Sequence, residues 1–114
     1  MTWTELTDGE LHILSLSGDI DLQHSPKLRQ LLQAKAAQRV ALLLLDFTHV
    51  TYIDSSGLAT LVEYYQKTRG HSGRLALAGL SNRVRSVFEL VRLSEIFSIY
   101  TNVAEAKSAL PLKS

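Results

Sequence analysis

The chain has no cysteine, which excludes structural disulfides and thiolate sites. It has almost no net charge: 12 Lys and Arg stand against 11 Asp and Glu, a formal +1, so bulk electrostatics gives no pull toward nucleic acid or an anionic membrane. No apolar run approaches the roughly 20 residues that a membrane-spanning helix needs. Met1-Thr2-Trp3-Thr4-Glu5 lacks the basic start and apolar stretch of a secretory signal. Internal repeats, low-complexity tracts and linker-like stretches are missing too. The four histidines, His12, His24, His49 and His71, show no paired ligand spacing, and without cysteine a zinc site has no support. These absences lead to the expectation of a cytoplasmic protein, or a cytoplasmic piece of a larger one, that needs no cofactor or metal, inserts into no membrane and makes no direct contact with nucleic acid.

What is present is the composition of a folded globular protein, 46% apolar and 20% charged over 114 residues. One domain, residues 1–114, is expected, and a chain of this length buries roughly two thirds of its unfolded surface without a metal or disulfide staple. Leu11 to Ser17 nearly alternates apolar and polar residues up to Gly18, a strand with one buried face. Thr2 to Thr7 is its hairpin partner, with Asp8-Gly9 as the turn. Ser25-Pro26 reads as an N-cap and first-turn proline, ahead of a helical face of Leu28, Leu31, Leu32 and Ala36. Val40 to Leu45 is the continuous apolar run of a central strand.

A second helix starts near Ser55, with Leu58, Leu61, Val62 and Tyr65 as its stripe, and His71-Ser72-Gly73 marks a turn. Of the adjacent Tyr64 and Tyr65, one is expected in the core and the other toward solvent. Leu75 to Ala78 is a buried strand, and Ser81 caps a third helix with Val84, Val87, Phe88 and Val91 on one side. Arg83, Arg85 and Arg92 lie off that stripe and read as a solvated face. Phe97 to Tyr100 is a short strand, and Asn102 to Leu110 a last helix stopped before Pro111. The order β-β-α-β-α-β-α-β-α implies an α/β fold, a mixed and mostly parallel sheet with about four helices and right-handed crossovers.

In such a sheet functional loops gather at the carboxyl ends of the strands. Two acidic segments fall there, Gly18-Asp19-Ile20-Asp21 and Asp54-Ser55-Ser56-Gly57. The second opens a helix, where free backbone N–H groups and the positive end of the dipole favour an anion such as a phosphate on serine. Asp54 and Ser55 serve equally well as plain N-caps, Ser56 as a first-turn residue or an alternate acceptor, and Asp21 as an acceptor for loop N–H groups. Gly57 keeps the loop backbone open.

Enzyme readings fare worse. Ser-Ser-Gly is only part of a nucleophile elbow, and Gly-x-Ser-x-Gly is not met. No glycine-rich loop cradles phosphates. A response-regulator receiver would use Asp46 as phosphoacceptor, but Asp19 and Asp21 are split by Ile20, and no lysine follows Leu75 to Ala78.

Three signatures together resemble the STAS domain of bacterial anti-sigma factor antagonists. They are the strand leading to Gly18-Asp19-Ile20-Asp21, the pair Leu43-Leu44-Leu45-Asp46-Phe47 and Ile53-Asp54-Ser55-Ser56-Gly57-Leu58, and Leu75-Ala76-Leu77-Ala78-Gly79 before a helix with Val84 and Phe88, then Leu93. The resemblance spans about Leu11 to Leu110. It implies a non-enzymatic regulator that binds an anti-sigma factor which is also a serine kinase, and thereby frees a sigma factor. It implies phosphorylation at Ser55 as the release step, a serine phosphatase as the reset, and Asp21, Asp54, Ser55, Ser56 and Gly57 as the partner-binding residues. The alternative within the family is a STAS scaffolding subunit of an ABC transporter or a stress-signalling complex.

Overall fold

Only two residues separate Asp8 from Leu11, and Gly9 makes that turn at φ +63°. Strands β1 (Thr2–Asp8) and β2 (Leu11–Ile20) therefore pair antiparallel, with Asp8 opposite Leu11. The turn is Gly9-Glu10, one residue later than expected. The computed structural model describes residues 1–71 and 73–109. Along them follow α1 (Ser25–Ala37), β3 (Leu42–Ile53), α2 (Ser55–Thr68), β4 (Arg74–Ala78), α3 (Asn82–Leu90), β5 (Ser98–Tyr100) and α4 (Val103–Ala109). The expected element order is the one observed. The sheet runs β1-β2-β3-β4-β5 in space, and every pair after the first hairpin is parallel. The expected ends at Ser72, Leu110 and Pro111 lie outside the described residues.

The sheet buries both faces, unequally. Leu14, Leu16, Ile20, Leu43, Leu45, Phe47, Val50 and Ile53 meet α1, α2 and α3 on one side through Leu28, Leu32, Leu58, Leu61, Tyr64, Val84 and Phe88. Leu11, Ile13, Leu42, Leu44, Ala76 and Ala78 meet Ala106 of α4 on the other. Farther along, that second face turns polar: Asp46 accepts from Ser15 and Thr48, and Asp19 from Thr51.

Strand β3 extends well beyond the expected Leu45 end. Its pairing with β2 shifts register twice, between Ser15 and Ser17 and between Gly18 and Asp19, so β3 carries extra residues there. Such bulges bend and twist a strand. They also put Phe47, Val50 and Ile53 in the core at a spacing of three, where simple alternation would have exposed one of them. Likewise Gly18 to Ile20 belongs to β2 rather than to a loop, and only Asp21 begins the connection.

Four helical details differ from expectation. The N-cap of α1 is His24, not Ser25; Ser25 is buried as the first helical residue, because the Asp21 carbonyl already accepts from the N–H groups of His24 and Ser25. On α2 the fully buried tyrosine is Tyr64, while Tyr65 is partly buried edge-on against Phe97. Val91 leaves the α3 stripe, since the helix ends at Leu90 and Val91 is exposed. Arg92 sits past the end of α3 in a left-handed turn at φ +62°. The Ser81 cap is as expected: its hydroxyl accepts from Val84 N–H at 3.1 Å.

Candidate functional site

The carboxyl ends of β2 and β3 lie side by side, with Ile20 opposite Ile53. The chain leaves β2 at Asp21 and enters α1, and leaves β3 at Asp54 and enters α2. Asp54 joins the two exits. Its N–H donates to Ile20 O at 3.1 Å. Its Oδ2 accepts from Leu22 N–H at 3.1 Å. Its Oδ1 accepts from the N–H groups of Ser56 and Gly57 at 2.9 and 3.2 Å and from the Ser56 hydroxyl at 2.6 Å. This is an N-cap with extended backbone, φ −113°, and a long-range tie besides. The Ser56 hydroxyl, then the surrounding backbone N–H groups, hold the Asp54 carboxyl below its ordinary pKa against the opposing effect of burial. Asp54 is an anion at neutral pH.

The two serines are thereby separated. Ser55, the first residue of α2, is exposed, and the Asp54 carboxylate bonds past it to Ser56 and Gly57. Ser56 is half-buried, with its hydroxyl donated to Asp54. Gly57 is buried rather than open to solvent. A Cβ there would stand 2.8 Å from Ile20 Cγ2, 2.8 Å from Ile53 Cγ1 and 3.1 Å from Ile20 O. Gly57 thus lets the first turn of α2 settle onto the paired ends of β2 and β3, and that close approach, not access to the backbone, is what requires glycine.

Asp21 is also engaged within the chain. Its Oδ1 accepts from His24 N–H at 3.1 Å and lies 2.7 Å from His24 Nδ1. Desolvation pushes the Asp21 carboxyl up, but the side-chain and backbone bonds from His24 outweigh it and the net shift is down. The Asp21 carboxylate therefore shapes the entry to α1, and the Leu22 N–H to Asp54 bond couples that loop to the start of α2.

Around this rim stand Leu22 and Tyr52, to which the sequence pattern gave no role, and Arg83, which it read as part of a solvated face. Leu22 is 74% exposed and Tyr52 is 39% exposed. The Arg83 guanidinium carbon lies 5.8 Å from the centroid of the Tyr52 ring. An apolar residue set among Asp21, Gln23 and His24, and an aromatic just before Ile53-Asp54, are the signals that mark Leu22 and Tyr52. Among the described residues no cluster of three His, Asp or Glu side chains could hold a metal ion, and no helix is long and apolar enough to cross a membrane.

The chain matches the STAS domain family over residues 4–106. The anti-sigma-B factor antagonist of Listeria monocytogenes is 34% identical over 84 residues, 74% of each chain. The crystal structure of an anti-sigma factor antagonist from Mycobacterium paratuberculosis superposes with a TM-score of 0.87 at 26% identity, covering 95% of this chain and 92% of that one. The Bacillus cell fate determinant SpoIIAA in its phosphorylated form shares the fold, with a TM-score of 0.73 at 19% identity and coverage of 94% and 97%. Such relatives are regulatory binding proteins rather than enzymes. A match over nearly the whole chain, on a five-stranded mixed sheet with helices in the expected order, establishes that this protein belongs to the STAS domain family.

Proposed function

We propose that the protein is an anti-sigma factor antagonist: it binds an anti-sigma factor that is also a serine kinase, and phosphorylation at Ser55 switches it off. The observation that carries this reading is the exposed Ser55 hydroxyl at the start of α2, beside a Ser56 hydroxyl already committed to Asp54. A kinase meets a free acceptor at one serine and an engaged one at the next. A phosphoserine carries about −1.5 to −2 charges at neutral pH with three strong acceptors. At a helix start those oxygens have backbone N–H groups and the dipole in their favour, so modification leaves the fold intact. The same charge in a desolvated interface costs several kcal/mol unless a cation faces it, and each ~1.4 kcal/mol is tenfold in affinity. Release then follows from charge at the contact, not from refolding.

In this reading Asp21, Asp54 and Gly57 fix the shape of the contact surface and Ser55 carries the switch. Ser56 lies within the surface with its hydroxyl turned inward. The protein acts in the cytoplasm as a single domain without contact to nucleic acid, and a serine phosphatase resets it. Incubation with the anti-sigma factor kinase and ATP, followed by mass spectrometry, tests the assignment. Phosphate is expected on Ser55, and Ser55→Ala is expected to stay bound whatever the kinase does. Phosphate on Ser56, or acyl phosphate on Asp46, contradicts it.

A further inference from the structure

The two carboxylates that the family resemblance implies as partner contacts are consumed inside the chain. Both oxygens of Asp54 accept bonds, from Leu22, Ser56 and Gly57, and Asp21 is held by His24. The unmet groups at the rim are of another kind. Leu22 projects an aliphatic side chain, 74% exposed, from the residue whose N–H is tied to Asp54. Tyr52 stands two residues before Asp54 and is 39% exposed. Arg83 lies over the Tyr52 ring at 5.8 Å.

The position of Arg83 is not explained by the fold. It is the second residue of α3, at the positive end of that helix, where a cation is disfavoured. It takes part in none of the ion pairs formed among the described residues, which involve His24, Arg29, Lys35, Arg92 and Lys107. Stacked on an aromatic ring, it keeps its donors free for a carboxylate. Tyrosine and arginine are among the residue types that carry most binding energy at protein contacts.

We infer that Leu22, Tyr52 and Arg83 are the recognition residues of this rim, and that they fit an anti-sigma factor surface made of an apolar pocket bordered by a carboxylate. This rests on the functional reading above and specifies the partner's chemistry. Leu22 and Tyr52 enter the pocket, and the Arg83 guanidinium meets the carboxylate. Ser55, next to the Asp54 that joins both flanks, then lies where a new dianion is least tolerated.

Isothermal titration of purified anti-sigma factor kinase with the full chain tests the assignment. Leu22→Asp and Arg83→Glu are each expected to weaken binding by about 30-fold or more, the size of a contact hot spot. Leu22→Ser serves as a second variant at the same position. Thermal melts unchanged from wild type show that the exposed substitutions leave the fold alone. Wild-type binding that is lost on Ser55 phosphorylation but kept in Leu22→Asp and Arg83→Glu overturns this inference and leaves the functional reading standing. Failure of the wild-type chain to bind any anti-sigma factor kinase of its host overturns both.

Discussion

Replacing Gly57 by alanine sets two opposing effects against each other at the heart of the site. Gly57 has ordinary helical backbone on α2, so alanine there gains ~0.5–1 kcal/mol from helix propensity and a less flexible unfolded chain. Against this, the new Cβ stands 2.8 Å from both Ile20 Cγ2 and Ile53 Cγ1 and 3.1 Å from Ile20 O. Ordinary carbon contacts need about 3.5–4.0 Å. Neither isoleucine yields easily: both are β-branched, both are fully buried, and they face each other across the β2–β3 pair. Overpacking of this kind costs ~1–3 kcal/mol, which exceeds the propensity gain. The net expectation is a loss of ~0.5–2 kcal/mol, or a fall in Tm of about 2–8 °C for a domain of this size. Urea and thermal denaturation measure it. Because relief of the clash lifts the first turn of α2, phosphorylation of Ser55 is expected to slow as well. A Gly57→Ala variant that is more stable by ~0.5–1 kcal/mol would show that helix propensity governs the position and refute the close-approach account.

Asp54→Ala removes the α2 cap and the tie to Leu22 together, and is expected to cost ~1–3 kcal/mol in chemical denaturation. Its carboxyl is held below its ordinary value of 3.8 in the folded state, so its contribution is complete above that value and lost as pH falls through the lower, folded one. Asp54→Ala should therefore flatten the acid limb of a stability–pH curve below about pH 4. A separate pH dependence comes from His12 on β2. Its Nδ1 faces the Lys35 ammonium at 3.1 Å, with Glu5 from β1 on the other side of that ammonium at 2.7 Å. Desolvation, then Lys35, lower the His12 pKa below 6.5, with Glu5 opposing. The unfolded chain thus binds the proton more readily, and stability falls as pH drops from 6.5 through the folded value. His12→Gln is expected to remove that slope in melts between pH 7 and pH 5; an unchanged slope would place it elsewhere.

Most of the architecture was written in local patterns. The stripes of Leu28 with Leu32, Leu58 with Leu61, and Val84 with Phe88 announce helices that the structure packs on one face of the sheet. What stayed hidden depends on contacts between distant segments. The far half of β3 escapes a search for alternation because two bulges against β2 change its period, so that Phe47, Val50 and Ile53 all point inward. Ser25-Pro26 looks like a cap, yet the Asp21 carbonyl takes the N–H groups of His24 and Ser25 and starts the turn earlier, so His24 becomes the N-cap and Ser25 turns inward. At the site, Asp54-Ser55-Ser56-Gly57 is recognisable as a helix start from adjacent residues alone. Which serine is free is decided by where the Asp54 carboxylate bonds, and the closeness of Leu22 is decided by the Asp54 Oδ2 contact across 32 positions of sequence. Gly57 is needed because Ile20 and Ile53 lie beneath it, which no local pattern states.

The central claim is that charge on one oxygen, Ser55 Oγ, controls partner binding on an unchanged fold. Its most direct test is the Kd for the anti-sigma factor kinase of two preparations of this chain, one unmodified and one stoichiometrically phosphorylated at Ser55, with circular dichroism and melts recorded on both. The account predicts at least ~100-fold weaker binding after phosphorylation, from a buried uncompensated charge, with the same spectrum and a similar Tm. Equal Kd values for the two preparations, or loss of binding accompanied by loss of the folded spectrum, would contradict it.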